Sequence, residues 1–386
     1  MFYQLPPVGN PVRISGGMSA ESLLQEVFSP YTPQYFDSGT SALSAAIIAA
    51  IKLKGVEVPE VLLPAYGCPD LVSAAIFAGA RPVLVDFEPD RPWMSLEQLS
   101  SRISASTVAI VAVNLFGISE RLHALKDIAR RASALLIEDS AQAFPADRGK
   151  SLWVGDLVVI SFGRGKPVSL LGGGAVLFRG AELGRLLPER EPRSSSVVRQ
   201  RLGFWLKAAL YNLMLSPYSY WLPQGLPFLH LGETRFYPLT ALGSMDPIRI
   251  GVLAENVSVY QQRGMRVQST LSGLMAEWDD AGLEIVDLPA VCHVPPSQRL
   301  LRYPLLLEAS ARDRVYRYLR RKGLGPSRMY PVSLPAIPGL GSYFESEKSY
   351  PEAVRFAARI LTLPLHEKVT NADICKIMAC LSSSGS

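Results

Sequence analysis

Glu138-Asp139-Ser140-Ala141-Gln142 and Ser161-Phe162-Gly163-Arg164-Gly165-Lys166 are two polar segments that each follow an apolar run. The runs before them, 134–137 and 157–160, are short and rich in Leu, Val and Ile, which is typical of strands buried inside a sheet. Ligands of open α/β sheets collect at the carboxyl ends of the strands. Both polar segments are therefore expected at a ligand site.

The same pattern extends through the first half of the chain. Three more apolar runs are predicted to be strands, at 61–63, 82–85 and 108–113. Four helical patterns lie between the runs, at 42–54, 71–78, 96–103 and 121–131. Alternation of strand and helix predicts an α/β protein in which helices cover both faces of a mainly parallel sheet.

Length and composition indicate a folded protein with more than one core. The 386 residues are 48% hydrophobic and 19% charged, which suits a large domain and a smaller one. We expect a large domain at 1–245, with an apolar insert at about 190–238, and a small C-terminal α/β domain at 246–386. A long helix over 248–274 is predicted to lead into the small domain.

Charge and cysteine content limit the partners. The net charge of +5 comes from scattered Lys and Arg, which fits an anionic small molecule or an anionic membrane surface, and no signature of nucleic-acid binding is present. The four cysteines are too far apart for a disulfide framework or zinc site, and the four histidines lack metal-ligand spacing, so no metal is expected. The first residues lack signal-peptide features, so the cytoplasm is the expected location.

Lys166 and Asp139 together suit pyridoxal phosphate (PLP). A lysine can form a Schiff base with PLP, and an acid keeps the pyridine nitrogen protonated so that the ring accepts electrons. Glycines flank Lys166, and Gln142 lies one helical turn beyond Asp139. Ser38-Gly39-Thr40-Ser41 opens the first long helix and could bind an anion, although a simple helix N-cap is the more frequent explanation of such a segment.

Taken together, segments 38–43, 138–142 and 161–166 resemble the DegT/StrS-type sugar aminotransferases, which are fold-type I PLP enzymes. The likeness runs from about residue 36 to 178 and returns at 358–366. It implies a mainly parallel seven-stranded sheet in the large domain, PLP as the cofactor, and a homodimer. In that family Lys166 would hold PLP covalently and move the proton between substrate and cofactor. The other residues that the resemblance assigns to the cofactor are Asp139 at the pyridine nitrogen, Gln142 at the phenolic oxygen, and Ser161, Gly39, Thr40 and Ser41 at the phosphate.

The sequence departs from the family at several positions. Cys68 stands where the family places an aromatic ring over PLP, and Tyr66 is an alternative for that contact. Asn114 replaces a common histidine. Segment 242–247 lacks the Asn and Arg that usually reach the partner subunit's cofactor phosphate, for which Arg235 is a candidate replacement.

Segment 202–232 is the most unusual part of the chain, since Lys207 is its only charged residue. Its first part, 202–215, is apolar on nearly every helical face and must be covered by protein, lipid or a partner. Prolines follow, and the apolar stretch is too short to span a bilayer. Two interpretations stay open: a packing arm or enlarged dimer interface, and contact with a membrane or a lipidic substrate.

We therefore expect a PLP-dependent aminotransferase that takes nitrogen from glutamate, the donor that the resemblance implies. The acceptor would be a keto-sugar attached to a nucleotide. A lipid-linked or acyl carbonyl is an alternative acceptor, since the insert is apolar and a usual histidine is missing near 328–331. A third hypothesis is a membrane-peripheral protein of the PLP fold without catalytic activity, but retention of Lys166 and Asp139 counts against it.

Overall fold

The computed structural model describes residues 3–14, 21–147, 153–192, 197–224, 234–279, 282–344 and 346–383. The strands are β1 Thr32–Phe36, β2 Glu60–Pro64, β3 Arg81–Val85, β4 Thr107–Val113, β5 Leu135–Asp139, β6 Leu157–Ser161, β7 Gly174–Phe178, β8 Ile285–Asp287, β9 Arg302–Leu307 and β10 Ile360–Pro364. The helices are α1 Glu21–Phe28, α2 Gly39–Lys54, α3 Asp70–Phe77, α4 Leu96–Arg102, α5 Leu122–Arg131, α6 Ala181–Leu186, α7 Val197–Met214, α8 Trp221–Gln224, α9 Pro247–Gln262, α10 Arg266–Ala276, α11 Leu288–Val291, α12 Ala309–Arg321, α13 Pro351–Arg359 and α14 Asn371–Ser382.

The large sheet has seven strands in the order β1-β7-β6-β5-β4-β2-β3. Strand β7 is antiparallel to both of its neighbours, and the other pairs are parallel. All residues of β2, β4 and β6 are buried, as expected where helices cover both faces. The predicted α/β class and seven-stranded sheet are confirmed, and each of the five strands inferred from apolar runs is present.

The N-terminus of helix α2 forms one end of the site. Its alanine-rich sequence packs closely on the sheet, and residues from Ser41 to Ala50 are almost all buried. The Ser38 side chain accepts a hydrogen bond from the Ser41 amide and so caps the helix, and Gly55 ends it in the left-handed conformation at φ 68°. Glycine adopts that conformation without steric cost, so the sequence defines both ends of α2.

The second sheet is antiparallel, in the order β10-β9-β8, and lies in the C-terminal part with α12, α13 and α14. Its buried residues form one hydrophobic core with one face of the large sheet. The predicted long helix over 248–274 is wrong, since Arg263 leaves the helical conformation (φ −66°, ψ 138°) between α9 and α10. Helix α9 packs in a core shared with β6 and β7, and a domain boundary at residue 245 stays a prediction.

The apolar insert contains α7 and α8. Phe204, Ala208 and Leu215 of the insert are buried, and Asn212 hydrogen-bonds both the amide and the carbonyl of Val12. Among the described residues, no helix is long and apolar enough to cross a membrane. The last part of the predicted segment, 225–232, lies outside the described residues.

Candidate active site

The carboxyl ends of β4, β5 and β6 and the start of α2 enclose one pocket. Seven of the eight predicted cofactor and catalytic residues line it: Gly39, Thr40, Cys68, Asp139, Gln142, Ser161 and Lys166. Ser41 does not line the pocket, because its hydroxyl points back to the Asp37 carboxylate at 2.7 Å and contacts the Ser38 hydroxyl at 2.9 Å. Ser41 thus stabilises the start of the helix.

Asp139 is the last residue of β5 and is buried. One carboxylate oxygen accepts a hydrogen bond from the Ala141 amide at 2.9 Å. Burial raises the pKa of the Asp139 carboxyl above its ordinary value, while that hydrogen bond and the nearby Lys166 ammonium lower it. A carboxylate in this setting is stabilised by a cation brought close to it, which is what a protonated ring nitrogen supplies.

Gln142 is held from two sides. Its Oε1 accepts a hydrogen bond from the Phe116 amide at 3.0 Å, and its Nε2 lies 3.3 Å from the Tyr330 hydroxyl, to which it donates. The side-chain amide is therefore fixed in the pocket. Tyr330 also lines the pocket and was not identified from the sequence, although it lies in the very segment where a family histidine is missing.

The loop that carries Lys166 depends on glycine. Gly165 has φ +72°, and Gly172 and Gly173 that follow have φ +148° and +95°, values that other residues rarely adopt. The loop is anchored by Asn10, whose Nδ2 donates to the carbonyl oxygens of Lys166 and Pro167 at 2.9 and 3.1 Å. The N-terminal segment thus positions the lysine, a contact that no sequence pattern indicated.

The start of α2 approaches Ser161 very closely. A Cβ atom on Gly39 would lie 2.6 Å from the Ser161 Cβ, so only glycine fits here. The amides of Gly39 and Thr40 begin the helix and have no carbonyl one turn earlier to bind, so the helix end can bind an anion. The Ser161 hydroxyl, 3.3 Å from the Gly163 amide, lies at the same end of the pocket.

Cys68 lines the pocket at the position where the family places an aromatic ring. Burial raises the pKa of the Cys68 thiol to about 12, with a further contribution from Asp70, so the thiol is neutral. Tyr66 is fully buried in an aromatic cluster with Phe87 and Phe356 and does not replace the missing ring. Asp70 lines the pocket as well, and its closeness in sequence to Cys68 was the one available signal.

Asn114 and Glu138 form a buried support beneath the pocket. The Asn114 amide donates to Glu138 and to Ser140 at 3.0 Å each, and Glu138 accepts two further bonds from the amides of Val154 and Gly155. Because every charged oxygen is satisfied, the residues that precede and follow Asp139 are held rigidly. Asn114 therefore has a structural function here.

The chemical groups that line the pocket fit PLP. PLP needs an amine for its aldehyde, an acid for its ring nitrogen, a donor near its phenolic oxygen and an anion site for its phosphate. Lys166, Asp139, Gln142 and the start of α2 supply these four groups around one space.

Comparison with known proteins agrees with this geometry. The model of the DegT/DnrJ/EryC1/StrS aminotransferase family matches residues 32–198 and 271–382, well over half of the chain. A dTDP-4-amino-4,6-dideoxy-D-glucose transaminase from Shigella dysenteriae is 24% identical over 349 residues, which are 87% of this chain and 81% of the relative.

Two solved structures have the same fold. An aminotransferase of the same family from Brucella abortus superimposes with a TM-score of 0.67 at 22% identity, over 97% of this chain and 91% of its own. The NtdA structure from Bacillus subtilis, which contains the cofactor PMP, superimposes with a TM-score of 0.67 at 17% identity, over 95% and 76%.

Proposed function

The chain belongs to the DegT/DnrJ/EryC1/StrS aminotransferase family, and on that basis we propose that it transfers an amino group from glutamate to a keto-sugar attached to a nucleotide. It is a PLP-dependent aminotransferase. The relative from Shigella dysenteriae is named for a dTDP-linked amino sugar, which supports a nucleotide-linked acceptor for this enzyme too.

One observation carries the proposal: Lys166, Asp139, Gln142 and the start of α2 surround the same pocket. When bound, PLP supplies an electron-accepting ring. Lys166 would bind the cofactor and then move a proton to and from the reacting carbon with its amine. Asp139 would keep the ring nitrogen protonated, Gln142 would orient the ring through its phenolic oxygen, and Gly39, Thr40 and Ser161 would hold the phosphate.

Three residues that line the pocket distinguish it. Cys68 is smaller than an aromatic ring, so it leaves more room beside the cofactor for the acceptor. Asp70 and Tyr330 place a carboxylate and a hydroxyl along the same wall. Both can hydrogen-bond sugar hydroxyls, which suits a keto-sugar better than an acyl chain.

The proposal includes the assembly and location of the enzyme. We expect a homodimer in the cytoplasm, with Arg235 as a candidate contact to the partner's cofactor, and a peripheral contact between segment 202–232 and a membrane. Arg235 is exposed and lies near the start of the described range 234–279. A light-scattering mass of twice 42.1 kDa would support the dimer, and a monomer with full activity would contradict it.

A coupled assay tests the reaction. Purified protein is incubated with PLP, glutamate and dTDP-4-keto-6-deoxyglucose, and both 2-oxoglutarate and the amino sugar are measured. Equal amounts of the two products are expected, with none from Lys166→Arg, which keeps the charge but cannot bind PLP covalently. Formation of 2-oxoglutarate without amino sugar would contradict the acceptor alone, and absence of both products would contradict the whole proposal.

A further inference from the structure

Helix α7 has two apolar faces, and only one of them is covered. On one side, Phe204 and Ala208 are buried in the core shared with α9 and β7. On the opposite side the helix exposes five large apolar side chains, which we name the outward stripe. They are Leu202 (73% exposed), Trp205 (37%), Leu206 (69%), Leu210 (49%) and Leu213 (65%).

The outward stripe is one continuous surface. Its four leucines follow one another at intervals of three or four residues, which places them along a single side of the helix, and Trp205 lies next to Leu206 at the edge of that side. Tyr218, Trp221 and Leu222 extend it beyond the end of α7, and each is at least 37% exposed. Soluble proteins rarely expose so large an apolar patch without a partner.

The helix that carries the stripe is fixed to the protein. Asn212 binds both backbone groups of Val12 at 2.8 and 2.7 Å, and the Arg249 guanidinium lies 5.2 Å from the centre of the Phe204 ring. The stripe therefore cannot turn inward without breaking these contacts. Most of α7 and all of α8 lie between the two matched family segments, 32–198 and 271–382.

The charges around the stripe indicate which kind of partner covers it. The sequence has no Asp or Glu from 192 to 232, but it has Arg193, Arg199, Arg201 and Lys207. Arg201 and Lys207 are exposed and flank the stripe at helical spacing, one on each side. A two-fold dimer contact would place this cationic surface against itself, whereas an anionic lipid surface is complementary to it.

The aromatic residues agree with a lipid partner. Trp205, Tyr218 and Trp221 lie within or at the end of the stripe, and tryptophan and tyrosine favour the boundary between hydrocarbon and water. We infer that the outward stripe docks the enzyme on the surface of an anionic bilayer, with α7 lying in the plane of the interface. This inference rests on the membrane contact of the proposed function and specifies the helix face and the kind of lipid involved.

Vesicle sedimentation with the full chain tests the inference. Wild-type protein is mixed with vesicles of phosphatidylcholine containing about 30% phosphatidylglycerol, which gives an anionic surface, or with vesicles of phosphatidylcholine alone. We expect binding to the anionic vesicles and at least about tenfold weaker binding by the double variant Leu206→Ser, Leu210→Ser, because each leucine loses its buried apolar area. Leu53→Ser is the matched control, since Leu53 is 53% exposed on α2, and should bind as wild type does.

Two further readouts keep the test decisive. Lys207→Gln should weaken binding about fivefold, an effect that disappears in high salt, and light scattering should give the same mass for all variants. The inference is overturned if wild type does not bind, if it binds neutral vesicles equally well, or if the serine variant instead changes the oligomeric mass, which would make the stripe a contact between two copies. Vesicle binding is measured without substrate, so its failure leaves the aminotransferase activity untouched.

Discussion

The cofactor pocket and the outward stripe of α7 differ in how far their side chains contact the rest of the protein. In the pocket, Gln142 hydrogen-bonds the Phe116 amide and the Tyr330 hydroxyl, and the Asp139 carboxylate hydrogen-bonds the Ala141 amide. On the stripe, large apolar groups point outward with nothing of the described chain over them. One chain supplies an amine, an acid, an amide and a helix start to the pocket, whereas the large side chains of the stripe remain exposed.

This difference indicates that catalysis and membrane contact use separate regions of the molecule. The residues that line the pocket lie in the two segments shared with the family, and the stripe lies between these segments. A substitution in one region should therefore leave the other unchanged. Variants in each region, assayed for both activity and vesicle binding, test that independence.

The largest expected effect is on catalysis. Asp139→Asn replaces a carboxylate by a neutral amide of the same size, so the ring nitrogen loses the charge that keeps it protonated, and kcat/KM should fall about 100-fold to 10,000-fold. Steady-state formation of 2-oxoglutarate measures this. Vesicle binding should stay unchanged, and a variant that retained activity within tenfold would remove Asp139 from the proposed mechanism.

The two faces of α7 should differ in stability. Phe204 is 4% exposed and Leu206 is 69% exposed, so Phe204→Ala should lower the free energy of unfolding by about 3–5 kcal/mol and Leu206→Ala by less than about 0.5 kcal/mol. Urea midpoints of the two variants give the comparison. Similar losses would mean that the outward face is packed against protein, as in a dimer interface.

Buried His366 should make the protein sensitive to acid. Its Nε2–H donates to the Pro6 carbonyl at 2.8 Å, and burial lowers its pKa from 6.5 to about 4, with Lys368 and Arg263 adding to the effect. Since the charged form is disfavoured only in the folded state, the stabilisation is present above pH 6.5 and is lost as pH falls toward 4. It amounts to about 2 kcal/mol between pH 7 and pH 5.

His366→Gln gives the control for this pH dependence. Unfolding measured at pH 7 and pH 5 should show a smaller difference in the variant than in wild type. Vesicle binding through the stripe has no histidine among its described residues and should not follow the same titration. An equal pH dependence in both proteins would show that other groups cause it.

The smallest effect concerns the support of Gln142. Tyr330→Phe removes one hydrogen bond of about 1 kcal/mol, so PLP should dissociate about fivefold more readily. A fluorescence titration with PLP measures the constant, with the exposed Tyr343→Phe as control. A loss of 100-fold or more would give Tyr330 a direct contact with the cofactor.

Apolar runs in the sequence predicted five of the seven strands of the large sheet, and the motifs predicted seven of the residues that line the pocket. Fully buried strands such as β4 and β6 are continuous apolar runs, and the functional residues follow them directly in the chain, so position along the sequence predicts position in space. Helix α2 was recognisable from its capping serine. Such local signals do not depend on distant residues.

Long-range contacts could not be predicted in this way. Asn10 binds the Lys166 loop from 156 residues away, and Tyr330 meets Gln142 from 188 residues away. The break at Arg263 was missed because apolar residues continue on both sides of it. Nor could the sequence decide which face of α7 is buried, since both faces are apolar and only the packed core distinguishes them.

The most direct test of the central claim is the visible absorbance of the purified protein with PLP, alongside Lys166→Ala, before and after glutamate. We predict a band of lysine-bound PLP that is absent from the variant and that glutamate converts to the amine form of the cofactor in the wild type. A wild-type protein without that band, or one whose band survives loss of Lys166, would contradict the assignment of this pocket as the active site.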